Sequence, residues 1–116
     1  MTKPYDLEER TFEFAKEVRL FIKALKKTVA NEEDGKQLVR SSGSVGANYI
    51  EANESLSKKD FSFRIKISRK EAKESVYWLR LINETNDLEN RKVVEDLIQE
   101  ATELKKILSA IIEKSK

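Results

Sequence analysis

At 116 residues, 39% hydrophobic and 38% charged with a net charge of +2, the chain has the size of one domain, 1–116, with a real core. Its composition is that of a mostly helical protein with a solvated surface. The absence of cysteine and histidine excludes disulfides, thiol nucleophiles, thiolate metal sites, imidazole bases and mixed histidine–carboxylate metal sites.

Four helices are expected in chain order. Asp6 is placed to cap the first, with Glu9 three residues on, and Phe14, Val18, Phe21, Ile22, Leu25 and Val29 then follow at helical spacing. The segment Asn31–Gly35 breaks that pattern, so the second helix is expected to start near Asp34 or Lys36 and to run to about Ser55. Ser57 can cap a third helix from Lys58 to about Glu84, with apolar positions Phe61, Ile65, Ile67 or Ser68, Ala72, Val76, Leu79 and Ile82. Asn86 and Asp87 mark a turn. A fourth helix is expected from about Glu89 to Lys114, carried by Val93, Val94, Leu97, Ala101, Leu104, Leu108 and Ile111. Connections this short favour antiparallel neighbours, so the predicted fold is an all-α, up-down-up-down four-helix bundle. No apolar run approaches the roughly 20 residues of a membrane span. The terminus MTKPYDLEER lacks the apolar core of a secretory signal, so a cytoplasmic location without a membrane partner is expected.

The second helix is unusual. LVRSSGSVGANYIEA, from Leu38 to Ala52, holds three serines, two glycines and an asparagine, which helices usually avoid. Such a segment needs either small side chains for close packing or the polar atoms themselves. Arg40, Ser44, Asn48 and Glu51 share one face of this helix, and Ile67, Glu71, Glu74 and Trp78 share one face of the third. If the faces meet, Asn48 and Glu51 are expected near Glu71 and Glu74, with Arg40 one or two turns away. Carboxylates gathered away from water need a cation or hydrogen-bond donors, and Arg40, Arg69, the Asn48 amide and the Trp78 indole can supply them. The readings are a satisfied structural network, solvated surface carboxylates, or a metal or substrate site, in that order.

Charge is unevenly spread. Between Lys58 and Arg80 eight basic residues stand against Asp60, Glu71 and Glu74, whereas the flanking segments are mildly acidic. Lys16, Arg19, Lys23 and Lys26 or Lys27 form a basic stripe on the first helix, and Lys66, Arg69 or Lys70, Lys73 and Arg80 a looser one on the third. Such stripes bind phosphates without reading bases, although a charge run is more often only a solvated face. There is no recognition-helix turn, Gly-rich phosphate loop or RNA-binding sheet. Any contact with RNA or DNA would be led by shape and charge.

The run Arg40-Ser-Ser-Gly-Ser44-Val-Gly-Ala-Asn48-Tyr-Ile-Glu51-Ala resembles the R-x-x-x-S-[hydrophobic]-x-A-N-I-x-E-[AG] signature of four-helix bundle proteins encoded in intervening sequences of bacterial 23S rRNA genes. Lys59-Asp-Phe61 and Ile67-Ser-Arg-Lys-Glu71-Ala-Lys-Glu74-Ser-Val-Tyr-Trp78-Leu resemble the same family's second block. Tyr49 and Ser68 depart from the usual isoleucine and alanine. A related group, the accessory proteins of diversity-generating retroelements, is similar in fold and basic character. The resemblance implies a left-handed bundle that assembles into a homo-oligomeric ring, usually a pentamer. It implies no catalytic activity and no cofactor. For the accessory branch it implies binding of nucleic acid or of a reverse transcriptase.

Two other classes fit parts of the pattern. Glu51-Ala-Asn-Glu54, then sixteen residues, then Glu71-Ala-Lys-Glu74 mimics the magnesium site of an all-α nucleotide pyrophosphohydrolase. A pure assembly protein would use Gly43, Gly46 and Ala47 for close helix approach, with Phe12, Phe63 and Tyr77 as exposed contacts. The reading carried forward is a non-enzymatic, oligomeric, nucleic-acid-associated accessory protein.

Overall fold

The computed structural model describes residues 6–116; the first five residues of MTKPYDLEER, on which the expectation about location was placed, lie outside the described part. The architecture is a helical bundle of α1 (Leu7–Ala24), α2 (Val29–Asn53), α3 (Lys58–Thr85) and α4 (Arg91–Lys114), with no strand among the described residues. Connections of four, four and five residues join the helices in chain order. Each helix packs on its neighbours in sequence, and α4 closes back on α1, which leaves α1 and α3 diagonally opposed. No helix is long and apolar enough to cross a membrane.

Local chemistry starts the helices where side-chain oxygens can take their free N–H groups. Asp6, Thr28, Ser57 and Asn90 accept from the backbone of Glu9, Asn31, Asp60 and Lys92 respectively. The first and third of these caps agree with the sequence-based expectation. α2, however, begins at Val29 and not near Asp34, and α1 stops at Ala24. The reason is Asn31, whose polarity serves as a clamp. Its amide donates to the Lys26 carbonyl at 2.8 Å and to Asn86 Oδ1 at 2.8 Å, and Asn86 returns a bond of 2.9 Å. This reciprocal pair ties the α1–α2 connection to the α3–α4 connection at one end of the bundle. Val29, expected in the core, is consequently 83% exposed. Arg91 locks the same end, donating to the carbonyls of Asn83 and Asn86 at 2.6 and 2.8 Å and satisfying acceptors that the end of α3 leaves free.

The core draws on every helix: Phe14, Val18 and Phe21 from α1, Leu38 and Val45 from α2, Ile65, Leu79 and Ile82 from α3, and Val94, Leu104 and Leu108 from α4. Each large aliphatic side chain buried here contributes about 1.5–3 kcal/mol. Val93, expected beside Val94 in the apolar set, points outward and is 43% exposed. At Ile67 or Ser68 the buried choice is Ser68, with Ile67 half-buried. A serine is tolerated there because its hydroxyl donates to the Val45 carbonyl at 2.6 Å.

Candidate nucleic-acid interface

The polar faces of α2 and α3 meet, in a register set by antiparallel packing. Ser41 and Ser75 share a hydrogen bond of 2.9 Å, Ser68 bonds Val45, and Arg64 donates to Asn48 Oδ1 at 3.3 Å. As numbers rise along α2 the partners fall along α3. Arg40 therefore lies directly over the carboxylates, donating to both oxygens of Glu71 at 3.2 Å and also to Glu74. This corrects the expectation that Asn48 and Glu51 would sit beside Glu71 and Glu74 with Arg40 at a distance. In an antiparallel pair joined by a short connection, residues equally distant from the turn face each other, so Arg40 meets Glu71 while Asn48, nearer the turn, meets Arg64.

Asn48 donates its amide to the Ser44 carbonyl at 2.9 Å. Glu51 is exposed. Arg69 is half-buried and takes no part in the ion pairs. The Trp78 indole N–H is buried without an acceptor among the described residues, and its ring meets Tyr77 edge-on with centroids 5.0 Å apart. The Glu71 side chain is only 11% exposed, so the bidentate arginine is what allows a carboxylate there. Hydrogen bonding to Glu71 in turn raises the Arg40 pKa above its ordinary value, as Glu100 does for Arg10. Among the described residues no three carboxylates converge as a metal site would require. The geometry is that of a satisfied polar seam that pairs two helices.

The glycines of α2 face the other way. A Cβ on Gly46 would stand 2.7 Å from Thr11 Oγ1 and 3.1 Å from its Cβ, so this glycine lets α1 approach α2. Thr11 is fixed in turn by bonds to the Leu7 and Glu8 carbonyls at 2.6 and 3.1 Å. Gly43 is less tightly held, since a Cβ there would meet only the tip of the Arg19 guanidinium, at 3.1 Å.

The two basic stripes differ in quality. On α1, Lys16 lies 3.9 Å from Glu13, and Arg19 donates to the Ala15 and Val39 carbonyls at 3.0 and 3.3 Å. Lys23 is exposed, while Lys26 and Lys27 lie past the end of the helix in the α1–α2 connection, off the stripe to which their spacing assigned them. On α3, Lys66, Lys70 and Lys73 are exposed and have no carboxylate partner among the described residues. Phe63 and Tyr77, 59% and 57% exposed, continue the same face. Lys59, Phe63, Lys66, Lys70, Lys73, Tyr77 and Arg80 recur at alternating spacings of four and three, one outward line about 32 Å long. Sequence reasoning found the lysines but treated the aromatics separately. Their common period was the signal that joins them.

Residues 4–110 match the family described as 23S rRNA-intervening sequence protein. The chain is also similar to a crystal structure of a protein of unknown function from the S23 ribosomal protein family of Bacteroides thetaiotaomicron. The two share 34% identity with a TM-score of 0.79, over 90% of this chain and 96% of that one. No curated protein matches. With nearly the whole sequence matched, and with the Arg40–Glu71–Glu74 cluster joining the two segments that carried the resemblance, the chain belongs to the 23S rRNA-intervening sequence protein family.

Proposed function

We propose that this protein is a non-enzymatic accessory protein that binds nucleic acid through the outward face of α3. The observation that carries the reading is the line of exposed Lys66, Lys70 and Lys73, free of carboxylate partners among the described residues and flanked by exposed Phe63 and Tyr77. Lysines neutralise phosphates whatever the sequence, and exposed aromatic rings offer stacking surfaces to unpaired bases. Single-stranded or looped RNA and single-stranded DNA therefore suit this face better than a closed duplex. Lys16, Arg19 and Lys23 extend the basic surface on α1. The similarity in fold and basic character to accessory proteins of diversity-generating retroelements points the same way.

A second surface supports self-association, with a pentameric ring the assembly implied by the resemblance. Between α1 and α2 an apolar groove of about 840 Å³ is lined by Phe12, Leu20, Ala47 and Ile50 over the small residues Gly43 and Gly46. Phe12 and Ile50 are 61% and 47% exposed. Self-association would repeat the lysine line and raise avidity for a long strand. The competing reading is a homo-oligomeric scaffold that binds no nucleic acid.

Anisotropy titration into labelled single-stranded RNA, structured RNA, single-stranded DNA and duplex DNA, at low and physiological salt, separates the two. The expected result is preference for unpaired strands and a steep inverse salt slope. The triple change Lys66→Glu, Lys70→Glu and Lys73→Glu should abolish binding, and Tyr77→Ala should weaken it by roughly 1 kcal/mol. No binding at low salt by a folded protein of unchanged mass would leave the scaffold as the better account.

A further inference from the structure

Away from the lysine line the surface has the opposite chemistry. Where α4 closes on α1, the two helices and the α1–α2 and α3–α4 connections at their shared end leave a groove of about 1180 Å³, lined by six carboxylates and a single lysine, Lys26. Three of the carboxylates already have cations beside them, Glu100 with Arg10, Asp96 with Lys92 and, more loosely, Glu13 with Lys16. Glu17, Asp87 and Glu89 have no cationic partner among the described residues. The floor and walls are apolar, with Leu20 and Val93 half in water at 50% and 43% exposure above buried Phe21 and Leu97. Apolar side chains rimmed by charged ones are the pattern of an interaction groove.

We infer that this groove is a docking site for a cationic amphipathic helix of a partner protein. The shape fits, because the groove follows α1 from Glu13 to Ala24, about 17 Å, or about three turns of a bound helix. Anchors at i, i+3, i+4 and i+7 would enter between Leu20, Phe21, Val93 and Leu97, and the lysines or arginines flanking them would meet Glu17, Asp87 and Glu89. The carboxylates repel phosphates, so this is not a second nucleic-acid surface. The inference goes beyond the nucleic-acid reading and does not depend on it, since no residue of the lysine line on α3 lines this groove.

A fluorescein-labelled peptide of about 14 residues, with leucines on one helical face and lysines on the other, is the probe. Anisotropy titration should give saturable binding by the full chain. The double change Glu17→Lys with Glu89→Lys should weaken it by about tenfold or more. Val93→Glu adds a carboxylate yet removes an anchor, so loss of affinity supports a docked helix. A gain would show plain charge attraction and overturn the proposal. Lys66→Glu with Lys70→Glu should leave the peptide affinity unreduced and abolish only nucleic-acid binding, so the two readings fail separately. Unchanged peptide affinity in the Glu17→Lys, Glu89→Lys protein would overturn the docking site. So would a change in that variant's own mass by light scattering, which would make the groove a contact between copies. All three substituted groove residues are exposed, and a thermal melt by circular dichroism confirms that each variant folds.

Discussion

The α2–α3 seam and the α1–α4 seam are both helix–helix contacts, yet they are built on different physics. The first joins helices of 25 and 28 residues through buried hydroxyls and a bidentate arginine. Its small side chains bring the backbones close and its polar atoms admit one register, because a slip would leave Glu71 and the serines without partners. The second joins helices of 18 and 24 residues from opposite ends of the sequence, with no connection between them, and is pinned across its surface by Arg10 on Glu100 at 2.7 and 2.8 Å. Apolar contact held by that single ion pair, with no buried hydroxyls interlocking the two helices, leaves room for a groove. A bundle can thus be specified tightly on one side and kept receptive on the other.

The largest test concerns the close packing that holds α1 at all. Gly46→Leu would drive a side chain into Thr11 and should cost about 3 kcal/mol by thermal or urea unfolding, at the top of the overpacking range. An unchanged melting temperature would break the close-approach account of this glycine.

The contrast between the two arginines is smaller and sharper. Arg40→Ala leaves the Glu71 carboxylate buried and unpaired, and should cost about 2 kcal/mol, less than a fully buried pair because Arg40 itself is 48% exposed. Arg10→Ala removes a pair whose side chains are 33% and 29% exposed and should cost about 1 kcal/mol or less. Equal costs in matched denaturation curves would erase the distinction between the seams. The smallest effect is kinetic: amides of α1 should exchange with solvent faster than those of α2 and α3, since the weaker seam opens first. Uniform protection across all four helices would show that the bundle opens only as a unit.

Much of this was legible in one dimension. Asp6 and Ser57 announced their helices because a cap is a local bond between a side chain and the backbone three residues on. The basic centre and the small-residue run of α2 were equally visible. Asn31 misled because the same amide reads as a helix breaker when alone and as a clamp when Asn86 is opposite. Fifty-five residues separate the two, and nothing in either neighbourhood names the other. The polar cluster was found with its members misassigned for a similar reason: face-sharing along each helix is periodic and local, whereas the partner across the seam depends on direction and register.

The sequence by itself determined four amphipathic helices, the short connections between them, and the family signature from Arg40 to Glu51 and from Glu71 to Trp78, all consequences of spacing along the chain. Only the tertiary structure decided that Arg40 holds Glu71 and Glu74, that Gly46 serves α1, and that carboxylates line one groove while lysines line the opposite helix. Those outcomes depend on which surfaces come together once the core is buried, and burial is a property of the whole packed bundle.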